Sequence, residues 1–109
     1  MEESRTHSSK LMHEFGSITN ASVTAWTPVV MLDISLQSIS FASSERLLPG
    51  DTHPLRFTLP GAPRMHFASV ALLPSTAPAE RGGYRYAAKF VTLEPNTIDH
   101  IVRFLGETA

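Results

Sequence analysis

Met31-Leu32-Asp33-Ile34-Ser35-Leu36-Gln37-Ser38-Ile39-Ser40-Phe41 decides how this chain is read. Its first half, with Val29 and Val30 before it, is apolar on both faces, the pattern of a strand covered on each side or bent into a small barrel. Its second half, Ser38 to Ser43, alternates small polar residues with Ile39 and Phe41, the period of a half-buried strand. Between them lie Asp33 and Ser35, two short polar side chains that a buried strand would not choose. Left to themselves, such residues close turns by hydrogen bonding to their own backbone.

Working outward, the same grammar repeats. Leu48-Pro49-Gly50-Asp51 has proline to fix φ and glycine to permit a positive one, and so predicts a turn. Strands are expected at Ser22 to Trp26, Val29 to Ile34, Ser38 to Ser43, Leu55 to Leu59, His66 to Leu73 and Tyr84 to Val91. In the fourth, Leu55, Phe57 and Leu59 point inward. Pro74 closes the fifth, and the residues from Ser75 to Gly83 form a flexible hairpin tip. In the sixth, Tyr84, Tyr86, Ala88 and Phe90 share one face, with Arg85 and Lys89 on the other. The period then changes. Ile98, Ile101, Val102 and Leu105 fall on the stripe of an amphipathic helix, with Pro95 and Asn96 as start signals and Gly106 as a stop. Residues 1–18, where Leu11, Met12 and Phe15 are isolated apolar side chains, read as a flexible arm, and residues 19–109 as one domain. The expected fold is mainly β: a six-stranded antiparallel barrel with a C-terminal helix.

Composition bounds the function. The 109 residues suit one core without staples, and the absence of cysteine excludes disulfides, thiolate metal sites and cysteine nucleophiles. Nine basic residues against ten acidic ones argue against DNA or RNA as a partner, since sequence-independent affinity for either rests on neutralising many phosphates. No apolar run is long enough for a membrane helix and no leader is readable, so the expected location is the cytoplasm, without membrane insertion. His7, His13, His53, His66 and His100 lack ligand-type spacing on one element, so no metal site is expected, and surface positions are the ordinary account of them. Asp51 and Asp99 with these histidines could be assembled on paper into a hydrolytic triad, but no G-x-S-x-G elbow accompanies them. No catalytic residues and no enzyme are expected.

The order of elements resembles the PilZ domain family. A strand ending in Asp-x-Ser, an apolar strand, a Leu-Pro-Gly-Asp turn, a strand ending in Leu-Pro and a late Tyr-x-x-x-x-Phe strand before a helix carry that resemblance over roughly residues 20 to 105. It implies a six-stranded antiparallel barrel with a C-terminal helix, and a place among bacterial modules of which many bind cyclic di-GMP. Two motifs carry that binding in the family: Arg-x-x-x-Arg in the arm before the first strand, and Asp/Asn-x-Ser-x-x-Gly at the end of the second. An arginine fork can bond the edge of guanine or a phosphate and can stack on a base. The carboxylate and hydroxyl can bond guanine N–H groups and a phosphate oxygen.

Asp33 and Ser35 match the second motif, and Ser38 stands where the family has glycine. The arginine pair is absent: Arg5 is followed four residues later by Ser9, and the next base is Lys10. Each charge-assisted arginine bond lost costs about 1.5–3 kcal/mol, a tenfold to hundredfold drop in affinity. The resemblance thus implies a protein–protein adaptor in cyclic di-GMP-related signalling (motility, type IV pilus or virulence control), with weak or no nucleotide binding and bacterial signalling or pilus and motility proteins as partners. The alternative is a true cyclic di-GMP receptor using Arg5, Lys10, Asp33, Ser35 and Ser38. No cofactor is expected; cyclic di-GMP is the candidate ligand.

Overall fold

The computed structural model describes residues 9–19, 25–47, 52–78 and 83–106. Six antiparallel strands, β1 (Lys10–Thr19), β2 (Trp26–Ile34), β3 (Ser38–Ser43), β4 (Thr52–Leu59), β5 (Ala62–Pro78) and β6 (Tyr84–Leu93), precede one helix, α1 (Pro95–Gly106). They close into a barrel in the order β1-β2-β3-β6-β5-β4, so every strand has a neighbour on each side. The expected fold class is what the chain adopts.

The barrel is filled by alternate side chains of each strand. Ile18, Met31, Ile34, Ile39, Phe41, Leu55, Phe57, Val70, Tyr86 and Ala88 are all buried, as the period-2 pattern of the β3, β4 and β6 sequences requires. Tyr86 brings a hydroxyl into this core and satisfies it at the barrel's rim, where it accepts from the Leu47 N–H at 2.6 Å.

The first strand corrects the sequence reading. Residues expected to form an arm up to position 18 instead run as β1 from Lys10, pairing with β2 from Lys10↔Ile34 to Thr19↔Trp26 and with β4 through Gly16↔Phe57. Residues 1–8, including Arg5, and most of the strand expected at Ser22 to Trp26 lie outside the described residues. β1 carries little apolar periodicity because Glu14 and Gly16 stand between its buried Met12 and Ile18. Its glycine has a reason: a Cβ at Gly16 would lie 2.7 Å from the Arg56 carbonyl and 2.9 Å from Met31 Sδ. The strand is placed by its neighbours, and they require it to be slim there.

Two other expectations are adjusted. β5 continues past Pro74 to Pro78, and the proline falls where the β5–β6 register shifts between Leu72 and Thr76, one of the few sheet positions that tolerate a missing N–H. The helix begins with Pro95 in the first turn, where the lost donor has no intrahelical partner anyway, and Ile98 N–H donates to the Glu94 carbonyl at 3.0 Å. Its buried residues are Thr97, Ile101 and Phe104, while Ile98 and Val102 of the predicted stripe are exposed. The buried face is rotated from the apolar stripe, and on it Thr97 meets His66 of β5, a polar contact that hydropathy does not reveal.

Candidate functional site at the β2–β3 turn

The residues singled out in the sequence gather at one end of the barrel. β2 ends at Ile34 and β3 starts at Ser38, so Ser35, Leu36 and Gln37 form the connection, and Lys10 opens β1 directly beside Ile34. Lys10, Asp33, Ser35 and Ser38 are therefore neighbours; Arg5 is outside the described residues.

Ser35 is only 3 % exposed. Its hydroxyl accepts the N–H of Ser38 at 3.0 Å and of Gln37 at 3.2 Å, and its own N–H donates to the Ser38 carbonyl at 2.8 Å. The Ser38 hydroxyl lies 3.1 Å from that of Ser35 and completes the knot. Phe90 N–H donates to the Gln37 carbonyl at 2.9 Å, tying the turn to β6. Ser35 thus does what a serine in a tight connection ordinarily does: it substitutes for backbone partners that the turn cannot supply. A ligand group donating to this oxygen would leave two backbone N–H groups to find new acceptors, and one accepting from it would compete with Ser38.

Asp33 points outward from β2. The β2–β3 register shifts between Met31 and Asp33, which turns Ile34 inward and leaves the carboxylate on the outer face opposite Ser40. There it meets Arg85 of β6 across β3, with Oδ2 and Nη2 3.7 Å apart. The side chain of Asp33 is 24 % exposed and that of Arg85 52 %, so solvent screens the pair and its worth is at most about 1 kcal/mol. Ser40 sits in the strand between, its hydroxyl buried and without a hydrogen-bond partner among the described residues.

Lys10 reaches the helix instead of open solvent. Its Nζ donates to the Phe104 carbonyl at 3.0 Å and lies 4.4 Å from the centre of the Phe104 ring. A cation at the last turn of α1 both caps a free carbonyl and suits the negative end of the helix dipole. The sequence placed Lys10 on a mobile arm, and this structural duty was invisible there because it spans 94 positions. Arg85 was legible as an outward residue of β6, but its pairing with Asp33 depends on β3 lying between β2 and β6.

Two histidines depart from the expected surface positions. His66 is 2 % exposed on the inner face of β5, its Nδ1 hydrogen bonded to Thr97 Oγ1 at 3.1 Å and its ring 5.1 Å from that of His100. Burial, then the nearby His100 and Arg64, hold its pKa below the ordinary 6.5 against an opposing contribution from Glu94. His53 is half-buried, with Nδ1 3.0 Å from the Thr19 carbonyl. Among the described residues no three His, Cys, Asp or Glu side chains are grouped to hold a metal ion. No helix among them is long and apolar enough to cross a membrane.

The backbone arrangement of the barrel and its helix is matched in solved structures. One is Bacillus subtilis Inhibitor of motility (MotI/DgrA), with a TM-score of 0.77 at 9 % identity over 93 % of this chain. The second is the PilZ domain with c-di-GMP of YcgR from Escherichia coli, with a TM-score of 0.69 at 10 % identity, covering 91 % of this chain and 86 % of that domain. This chain has a PilZ-like fold. The PilZ-like chain spans about half of the motility inhibitor, 49 % of its length. No family model matches the sequence, and no curated protein matches it. The likeness is thus carried by the PilZ-like backbone arrangement, with about one residue in ten shared.

Proposed function

We propose that this PilZ-like domain is a non-enzymatic adaptor of cyclic di-GMP-related signalling in bacteria, acting in the cytoplasm on motility or type IV pilus proteins, with weak or no affinity for the nucleotide itself. The observation that carries the reading is the internal satisfaction of the β2–β3 turn: Ser35 is consumed by Gln37 and Ser38, Asp33 faces Arg85, and Lys10 holds the end of α1. Ser38 adds a side chain where the family has glycine, and that side chain is bound to Ser35. The fold shared with a motility inhibitor and with a domain solved with c-di-GMP supplies the signalling context.

A receptor reading has one observation in its favour: Lys10, Asp33, Ser35 and Ser38 do converge at one end of the barrel. Calorimetry with cyclic di-GMP at protein concentrations of tens of micromolar separates the two. The adaptor reading expects no saturable heat. Saturable heat that disappears in Asp33→Ala would overturn it in favour of the receptor.

A further inference from the structure

Around the six-stranded barrel, β5 stands three strands from β2 in either direction, so its outer face is the wall opposite the β2–β3 turn. An open groove of about 540 Å³ runs there, lined by Trp26, Pro54, Phe67, Ser69, Thr92 and Pro95, with Glu94 at its edge. Phe67 is 51 % exposed although it is a large apolar side chain at mid-sheet. Its neighbour in register on β4 is Arg56, whose guanidinium lies 4.0 Å from the centre of the Trp26 ring. That stacking fixes the indole as a wall of the groove at the cost of one face. On the other flank, Leu93 pairs with Ala68, which puts Glu94 just beyond the end of β6. Glu94 is exposed and has no ion pair among the described residues.

The geometry points to an extended, proline-rich segment of a partner protein, carrying a basic residue, as the occupant of this groove. Three features select it. Along the groove floor Ala68 and Ser69 of β5 pair with β4 on one side and β6 on the other, so no strand edge is open there to a peptide backbone and a partner segment must be held through side chains. A polyproline II segment suits that restriction, because it is extended before binding and loses little entropy, and it presents carbonyls with no internal hydrogen bonds. The groove offers prolines and aromatic rings to pack against, with Ser69 and Thr92 as hydroxyl-bearing residues of its lining that can donate to those carbonyls. Finally, the exposed carboxylate of Glu94 is complementary to a lysine or arginine at one end of the segment. The inference gives the proposed adaptor its docking face, and it is tested without cyclic di-GMP, so either reading can fail alone.

Trp26 is the single tryptophan of the chain and lines the groove, so its fluorescence reports occupancy. The full chain is titrated with a ten-residue polyproline peptide bearing an arginine at each end, and with a glycine–serine peptide bearing the same arginines. The expected result is a saturable fluorescence change with the proline peptide only. It weakens at least tenfold in Phe67→Ala, whose ring is exposed enough to be removed without unfolding the barrel. In Glu94→Gln the affinity for the arginine-bearing proline peptide falls severalfold. Equal binding of the two peptides, or no saturable change with the proline peptide, overturns the inference. A fluorescence change that follows protein concentration alone, with a dimer in sedimentation that Phe67→Ala abolishes, overturns it too by assigning the groove to a second copy.

Discussion

The two opposite walls of the barrel treat their polar and apolar groups in contrary ways. At the β2–β3 turn, the residues that look functional in the sequence are tied to partners within the fold, with Ser35 buried beneath its own turn. On the β5 wall, Phe67, which looks like ordinary strand content, and Glu94, which looks like a helix start signal, are left exposed beside a preformed groove. A polar group already satisfied by the backbone has little to give a ligand, since binding would first break what it makes. An exposed aromatic ring over a groove has buried area still to gain. The likeness in fold draws attention to the first wall, whereas the energetics favour the second.

That contrast can be broken at several points, in descending order of effect. Gly16→Val strikes the strand that joins the two walls: its side chain would enter the space now held by the Arg56 carbonyl and Met31 Sδ, and the expected loss is about 3 kcal/mol in urea unfolding. Ser35→Ala leaves the Gln37 and Ser38 N–H groups without their acceptor and should cost about 2 kcal/mol. Unchanged stability there would mean that the serine is not needed by the turn and is free for a ligand.

Acid provides the next test, through the inner face of the β5 wall. The folded state holds the His66 pKa below the ordinary 6.5, so the unfolded chain takes up the proton first. The stability contributed by neutral His66 is complete above pH 6.5 and is lost as pH falls through the lowered folded value. Unfolding midpoints from pH 7.5 down to pH 4.5, compared between the natural chain and His66→Gln, should show a steeper decline in the natural chain. Parallel profiles would remove His66 as the cause.

Smaller effects distinguish the outer faces. A double-mutant cycle on Asp33→Ala and Arg85→Ala should give a coupling below about 1 kcal/mol that shrinks in salt, as befits a half-exposed pair. Phe67→Ala should move stability by no more than about 0.5 kcal/mol while abolishing most of the peptide affinity. A large stability loss at Phe67 would instead make the ring part of the packing and close the contrast between the walls.

What could be read from residue order alone was what period and turn chemistry encode locally. The inward faces of β3, β4 and β6, the terminal helix and the turn at Ser35 follow from alternation, from proline and glycine placement and from the habits of short hydroxyl side chains. Those features suffice for a small antiparallel barrel with a C-terminal helix, and the resemblance to PilZ domains rests on their order. β1 was not legible, because Glu14 and Gly16 interrupt its inward face and only pairing with β2 and β4 makes it a strand. The pairing of Asp33 with Arg85, the hold of Lys10 on α1 and the burial of His66 against Thr97 were decided by tertiary structure. Each joins groups far apart in the chain, and closure of the barrel sets which of them meet. The groove is of the same kind: Trp26, Pro54, Phe67 and Pro95 share no local pattern, and only the wrapping of β2 toward β4 and of β6 into α1 brings them to one wall.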